Sequence, residues 1–198
     1  MRGSHHGPGL GVRVATVVLG LLCAGCQLRL GVGVTVDRRG AGRLEVSVAA
    51  DAELLARAAE AGVDPLGDLA AAGRQLRAQG WDTTDRHQPD GSRQVDLSTG
   101  FSDAEEFDAL ARDLAVALAA PELAVLEPMD LTVDQERLAL VGSAGLQPSA
   151  AVAELGLSPE QAVDLLREQG AVDYRVRIAL PGEVLETTAP KRDGSVLT

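Results

Sequence analysis

Residues 28–37 read Leu-Arg-Leu-Gly-Val-Gly-Val-Thr-Val-Asp, and this stretch decides the fold class of the 198-residue chain. Aliphatic side chains occupy every second position from Leu28 to Val36, with polar or small residues between them. A strand with strict alternation has one apolar face and one polar face. We therefore predict a strand over 28–37 whose aliphatic face is either part of the core or a surface for an apolar ligand.

The segments that follow predict hairpins. Residues 38–42 contain two glycines and form a turn, after which Leu44, Val46 and Val48 continue the alternation. A second hairpin is predicted over 81–100, around the turn Pro89-Asp90-Gly91. The further predicted strands lie around 131–133, 137–141, 172–180 and 184–188 and, after a turn at 192–194, over 195–198.

Helix signals separate these strands. Ser102 and Glu105 have the spacing of a capping box, in which each side chain binds a backbone N–H of the first turn. Chain breakers mark the helix ends. The residues that bound the predicted helices are Asp51 and Gly62, Asp64-Pro65 and Gly80, Ser102 and Pro121, and Ser158 and Gly170. The predicted fold class is α+β: a largely antiparallel β-sheet built from hairpins, with several helices packed on it.

The first 25 residues have the layout of a bacterial signal peptide. They carry Arg2 and Arg13 but no acid, and an apolar run follows over 14–22. This run is too short to span a bilayer core, which takes about 20 residues. Residues 1–25 are therefore predicted to be a cleaved signal peptide that directs the rest of the chain out of the cytoplasm.

Ala24-Gly25-Cys26 resembles a lipobox, the cleavage and acylation site of bacterial lipoproteins. Two small residues give the peptidase access to the backbone, and the thiol of Cys26 is the nucleophile that receives the diacylglycerol. Cys23 occupies the position where an aliphatic residue is usual, and Leu22 before it is too bulky for Cys23 itself to be the modified residue. The alternative is an ordinary secretory signal or an uncleaved anchor with incidental cysteines.

Charge and composition exclude several classes of function. The chain has 29 acidic and 18 basic side chains, so its net charge is −11, which disfavours nucleic-acid binding. Loss of the two arginines with the signal peptide changes the net charge to −13. Acids of the helix after Ser102 are interpreted as solvated surface rather than a metal site: Asp103, Glu105, Glu106, Asp108 and Asp113.

The search for catalytic and cofactor motifs is negative. His87 is the single histidine after the signal peptide, and it lies in a polar segment typical of an exposed turn. One histidine and one acylated cysteine do not make a usual zinc site. Gly142-Ser-Ala-Gly145 is not a nucleophile elbow, and Gly31 and Gly33 lie inside a predicted strand rather than a phosphate-binding loop. We therefore expect the protein to be non-catalytic and to have no cofactor and no metal site. A pair of carboxylates that acts as general acid and general base is the alternative that the sequence leaves open.

The combined pattern resembles the LppM-type actinobacterial envelope lipoproteins. The residues that carry the resemblance are Ala24-Gly-Cys26 with the strand 28–37 directly after it, the stretch 176–188, and 192–198. It covers residues 20–198 and implies a lipoprotein signal peptide over 1–25 and an LppM-like domain over 26–198. Members of the family commonly continue into a further strand and a C-terminal membrane helix, so we expect these segments to be missing after Thr198.

The resemblance implies a non-catalytic protein of the cell envelope, held on the extracytoplasmic face of the membrane by a lipid on Cys26. Lipid or glycolipid binding is one candidate activity, for which an apolar cavity of about 300 Å³ or more would be expected. The alternative is a structural or interaction module that docks a protein partner through its acidic surface. A hydrolase comes third and would need converging carboxylates with perturbed pKa values.

Overall fold

The structure is a computed structural model. It describes residues 27–60, 62–118, 123–126, 129–134, 137–142, 144–148, 161, 172–189, 191–193 and 195–198. The predicted signal peptide, Cys26, and the predicted helix over 158–170 (except Gln161) lie outside the described residues.

Three helices and eleven strands make up the described part of the chain. The helices are α1 (Ala52–Glu60), α2 (Gly67–Arg77) and α3 (Ala104–Leu118). The strands are β1 (Leu28–Val36), β2 (Gly42–Ala50), β3 (Asp82–His87), β4 (Arg93–Phe101), β5 (Leu123–Leu126), β6 (Asp130–Asp134), β7 (Arg137–Val141), β8 (Ala144–Pro148), β9 (Val172–Ala179), β10 (Arg192–Asp193) and β11 (Val196–Leu197).

Seven strands form the main sheet in the order β10-β11-β9-β1-β2-β4-β3. Its neighbours are antiparallel except for β1 and β9, which pair in parallel from Leu28↔Val172 to Thr35↔Ala179. Two small antiparallel sheets, β5 with β8 and β6 with β7, complete the strands. The predicted α+β class with a largely antiparallel sheet is therefore confirmed, while β5 and β8 were not predicted.

The aliphatic face of β1 is core. Its five alternating residues, from Leu28 to Val36, are only 1–5% exposed. They belong to one buried cluster with the apolar residues of β2 and β4 and with those of all three helices. Within this cluster the Phe101 and Phe107 rings meet edge to face with their centroids 5.0 Å apart. This strand face therefore packs against the helices and is not a surface for a ligand.

The helix starts follow local capping chemistry, with one correction to the predicted capping box. Asp51 caps α1 as predicted, because its Oδ1 accepts the Leu54 N–H at 2.8 Å. In α3 the partner of Ser102 is Glu106 rather than Glu105, and the Glu106 Oε2 accepts both the backbone N–H (2.6 Å) and the hydroxyl (2.7 Å) of Ser102. The physical reason is that Asp103 caps the helix by accepting the Glu106 N–H at 2.9 Å, which moves the box by one residue.

The predicted return strand over 184–188 is wrong. Residues 183–189 form no strand, and β11 takes the free edge of β9 instead, with Val196 opposite Ala179 and Leu197 opposite Ile178. The sequence 184–188 lacks a strict alternation, and its Leu185 is 76% exposed, whereas Leu197 is buried. The strand that buries an apolar side chain against the sheet therefore occupies the edge.

In the part of the chain that the structure describes, no helix combines the length and the apolar character needed to cross a membrane.

Candidate functional site

The junction between the predicted lipid anchor and the domain begins at Gln27, the residue after Cys26. The Gln27 backbone N–H donates to Asp51 Oδ2 at 2.6 Å, and its carbonyl accepts the Asp51 N–H at 3.1 Å. Asp51 thus uses one carboxylate oxygen to hold Gln27 and the other to cap α1 at Leu54. The chain is incorporated into the fold from Gln27 onwards, so the acylation site predicted at Cys26 directly adjoins the sheet.

Arg93 forms a charge cluster with two carboxylates at the same end of the sheet. Its side chain is 12% exposed, and its Nη1 donates to both carboxylate oxygens of Asp64 at 2.8 and 2.9 Å. Its Nε and Nη2 bind the two oxygens of Asp85, each at 2.8 Å. The hydrogen bond from Arg93 lowers the pKa of the Asp85 carboxyl, and hydrogen bonds to Asp85 and Asp64 raise the pKa of Arg93. Because these carboxylates engage Arg93 on both sides, the cluster is a structural tie rather than a site for an anion.

No sequence motif singles out this cluster, although one signal was available. Asp85 faces Val95 in the β3–β4 register, and Arg93 is two residues before Val95. Such diagonal neighbours on adjacent strands are close enough for long side chains to meet. Asp64 could not be found this way, since it precedes Arg93 by 29 residues and reaches it only through the fold.

His87 is the last residue of β3, opposite Arg93, and it is exposed as the sequence predicts. Within the described ranges, no group of three or more His, Cys, Asp or Glu side chains is placed to hold a metal ion. Gly31 and Gly33 lie in β1, as expected, and not in a loop that could surround a phosphate.

The acids of α3 do not all belong to a solvated face. Asp108 is half-buried, and its Oδ1 accepts the Leu131 N–H at 2.9 Å, which ties α3 to β6. Hydrogen bonds from the Ser102 hydroxyl and backbone lower the pKa of Glu106, whose role is the cap described above. Glu105 is exposed as predicted. The interpretation as solvated surface is therefore wrong for Asp108, because its backbone partner lies 23 residues further along the chain.

A groove of about 390 Å³ lies between α2 and α3. Residues spaced three and four apart, on α2 and directly after it, line one side of the groove. The helix α3 adds two side chains near its C-terminal end. The lining residues are Asp68, Ala71, Ala72, Gln75, Leu76, Gln79, Asp113 and Val116. Leu76 is buried, whereas Val116 is 77% exposed. The groove therefore combines two carboxylates and two amides with a small apolar surface.

The core-side face of β9 is covered less completely than the neighbouring face of β1. Val172, Tyr174, Val176 and Ile178 share the face of the buried β1 residues in the parallel register but are only half-buried. The Tyr174 hydroxyl is nevertheless inaccessible to solvent, and none of the described residues is a hydrogen-bond partner for it. Burial raises the pKa of this hydroxyl to about 12. Tyr174 is thus held by the packing of its ring and not by its polar group.

The opposite face of the sheet is polar, and many of its charges are paired with one another. Arg43 contacts Glu45 at 3.0 Å and Asp82 at 3.5 Å, and Arg86 pairs with Asp96 on the adjacent strand. These pairs are exposed and contribute little individually to stability. They neutralise each other locally, so this face is not the site of the acidic excess.

Comparison with solved structures shows a similar backbone in the NMR structure of the folded domain of LppM from Mycobacterium tuberculosis. The TM-score is 0.50, and the similarity covers 88% of this chain and 82% of that chain. The chain has the LppM fold. The sequence identity is 17%, so the likeness to LppM concerns the fold and does not extend to a shared activity. No protein-family model matches the sequence, and no curated protein matches it either.

The resemblance to LppM predicted from the sequence is therefore confirmed at the level of the fold. β1 is a central strand, with β2 on one side and β9 on the other. It begins at Leu28, two residues after Cys26.

Proposed function

We propose that this protein is a cell-envelope lipoprotein, anchored to the extracytoplasmic face of the membrane through Cys26 and carrying a non-catalytic domain. One observation carries the proposal: a lipobox-like Ala24-Gly25-Cys26 directly precedes Gln27, which is hydrogen-bonded into a domain with the LppM fold. Since Gln27 is already bound to Asp51, the predicted cleavage before Cys26 would leave the folded domain intact and the acylated cysteine at its N-terminus.

The chemistry of the anchor accounts for stable membrane attachment. A diacylglyceryl group on the Cys26 sulfur buries two acyl chains, and each buried methylene contributes about 0.8 kcal/mol. One chain gives marginal, reversible binding, whereas two give stable anchoring. No further membrane-binding element is required from the domain.

The non-catalytic part of the proposal is supported by the structural roles of the charged side chains. Arg93, Asp64 and Asp85 satisfy one another, and Asp108 holds the backbone of β6. His87 is exposed at the end of β3. Side chains committed to ties of this kind are poor acids, bases or nucleophiles, because their lone pairs and protons are already engaged.

A matched pair of cysteine variants tests the anchor. In an actinobacterial host, wild type and Cys23→Ser should both be recovered from membranes with residues 1–25 removed and a diacylglyceryl group added, as measured by intact mass. Cys26→Ser should carry no diacylglyceryl group, and once its signal peptide is removed it should be released from the membrane fraction. Acylation that persists in Cys26→Ser, or that disappears in Cys23→Ser, contradicts the assignment of Cys26.

We propose a second activity for the groove between α2 and α3, the binding of a neutral glycolipid headgroup. The specific observation in its favour is the lining, because the carboxylates of Asp68 and Asp113 and the amides of Gln75 and Gln79 are partners for sugar hydroxyls. The two carboxylates would repel a phosphate. Val116 adds an exposed apolar contact beside them.

Native mass spectrometry of the protein purified from membranes tests this activity. Wild type should retain a lipid with a carbohydrate headgroup, and Val116→Asp should lose it because the substitution replaces the exposed apolar contact of the groove with a hydrated carboxylate. Val141→Asp is the matched control, since Val141 is also exposed (67%) and does not line the groove. Equal retention by the two variants argues against the groove. A protein partner that is retained at low salt and released at high salt favours docking through the acidic surface instead.

A further inference from the structure

The domain has no flexible spacer between its sheet and the proposed anchor. Gln27 is held to Asp51 by two hydrogen bonds, and β1 begins at the next residue. The Cα atom of Cys26 must lie about 3.8 Å from that of Gln27, because consecutive residues are joined by a peptide bond. A lipid on Cys26 therefore brings this end of the sheet to the membrane surface.

Several strands end at the same level, and together they form what we call the anchor end. Leu28 is opposite Ala50, Ala50 is opposite Arg93, and Arg93 is opposite His87. The β3–β4 turn, residues 88–92, extends beyond this level. It lies beside the start of α1, since a Cβ added to Gly91 would be 3.1 Å from the Ala52 Cβ. We define the anchor end as Gln27, Asp51, Ala52, His87 and the turn 88–92.

We propose that the anchor fixes the orientation of the domain, so that the anchor end rests on the lipid headgroups and the β1–β2 turn at 37–41 points away from the bilayer. This inference rests on the proposed acylation of Cys26. The occupant of the anchor end is a lipid surface, because the residue proposed to carry the lipid directly precedes Gln27, which is already bound to Asp51.

The chemistry of the anchor end fits contact with headgroups rather than insertion into the acyl layer. The β3–β4 turn reads Gln88-Pro-Asp-Gly-Ser92 and carries no large apolar side chain. Hydrogen bonds from the Ser92 hydroxyl and backbone N–H lower the pKa of Asp90, so this carboxylate stays charged at the surface. The anchor end is also not a basic patch that would find an anionic membrane by itself. The proposed tether on Cys26, rather than attraction to anionic headgroups, therefore orients the anchor end.

The two ends of the sheet are far enough apart for a direct measurement. β1 has nine residues, and a rise of about 3.3 Å per residue places its ends about 26 Å apart. Gln88 in the β3–β4 turn and Arg38 in the β1–β2 turn are both exposed and mark the two ends. The mature lipoprotein would have no free thiol, because Cys23 is removed and the Cys26 sulfur is acylated. A cysteine introduced at either position is therefore a unique labelling site.

The experiment uses the full chain, processed and purified from membranes, as the variants Gln88→Cys and Arg38→Cys with a thiol-linked fluorophore. Each is reconstituted into phosphatidylcholine vesicles that contain a lipid with a nitroxide quencher on its headgroup. We expect severalfold stronger quenching at position 88 than at position 38. Insertion of a Gly-Ser linker of about ten residues between Cys26 and Gln27, with a span of about 17 Å, should preserve acylation and remove most of this difference.

The outcomes separate the two proposals. If intact mass shows the diacylglyceryl group and position 88 is quenched more strongly, the orientation is supported. If acylation is present but both positions are quenched equally, or position 38 more strongly, the orientation is overturned while the lipoprotein assignment stands. If Cys26 carries no lipid, the proposed function fails and this inference fails with it.

Discussion

The Arg93→Met substitution should destabilise the domain by about 2 kcal/mol at neutral pH. Arg93 makes four charged hydrogen bonds to Asp64 and Asp85, which join β4 to β3 and to the turn before α2. Methionine keeps an unbranched apolar stem of similar length in the space of the Arg93 side chain. The substitution therefore removes the charge and the hydrogen bonds while it preserves most of the packing.

The magnitude follows from how far the partners are exposed. Removing one member of a buried pair costs about 3–5 kcal/mol, because the remaining charge is left without solvent. Arg93 is 12% exposed, but Asp64 and Asp85 are 53% and 38% exposed and can be hydrated once the arginine is absent. The expected loss is therefore below that range and within the about 1.5–3 kcal/mol attributed to hydrogen bonds with charged groups.

Urea unfolding followed by tryptophan fluorescence measures this loss. Trp81 is the single tryptophan, it is 2% exposed, and it stands immediately before β3, so unfolding changes its surroundings. Arg86→Met is the matched control, since Arg86 is 54% exposed and pairs with Asp96 on the other face of the same two strands. The control should lose less than about 1 kcal/mol. Equal losses for the two variants would refute the argument that burial makes the Arg93 tie strong.

The pH dependence gives a second check on the same tie. Arg93 lowers the pKa of the Asp85 carboxyl in the folded protein, whereas an aspartate carboxyl in an unfolded chain has a pKa of about 3.9. A depressed folded pKa contributes stability that is complete above the unfolded pKa and is lost as the pH falls through the folded pKa. The difference between wild type and Arg93→Met should therefore be constant above about pH 5 and should narrow below about pH 4. A difference that persists undiminished in strong acid would show that Asp85 is not involved.

Three further substitutions test other parts of the fold. Gly42→Ala places a Cβ 1.9 Å from the Thr35 carbonyl oxygen, so we expect at least about 3 kcal/mol of destabilisation and a lower midpoint of thermal unfolding. A thermal midpoint equal to that of wild type would contradict the close approach of the two strands. Tyr174→Phe removes a buried hydroxyl that has no partner among the described residues, and it should be neutral or stabilising by up to about 1 kcal/mol in urea unfolding; a clear loss would reveal a hydrogen bond. Asp108→Ala leaves the Leu131 N–H unpaired and should cost about 1–3 kcal/mol, with faster hydrogen exchange at that amide, while Asp108→Asn keeps an acceptor and should restore most of the stability.

Elements with a strong local signal were predictable. β1, β2 and β9 alternate strictly over eight or nine residues, and α1 starts at the Asp51 cap, so neighbouring residues suffice to define them. The stretch 184–188 shows the limit of this approach. It has some β-forming residues, but β11 competes for the same edge of β9 and buries Leu197 there. Which of two segments pairs with an edge depends on what each one buries, and this is not a local property.

The two candidate sites also differ in whether a local sequence pattern is sufficient to predict them. Cys26 is proposed from a motif of three consecutive residues, so the sequence is sufficient to name it. The groove between α2 and α3 has no motif, because its lining comes from two helices that are separated in the chain by the β3–β4 hairpin. Only their packing on the sheet brings Asp68 and Asp113 to one depression.

The sequence by itself determined that residues 28–36 form a strand with one apolar face, since the alternation of side chains follows directly from the geometry of an extended backbone. It predicted one neighbour of β1, the hairpin strand β2, but not the other. The antiparallel neighbour β2 comes from an adjacent hairpin, but the parallel neighbour β9 lies more than 130 residues away, and that pairing exists only in the tertiary structure. The hydrogen bonds between Arg93 and Asp64 and between Gln27 and Asp51 likewise join residues that are distant in the sequence, so they too exist only in the tertiary structure. Local geometry specifies a strand and its faces, whereas its partners depend on which distant segments bury the most apolar surface and satisfy the remaining backbone and charged groups.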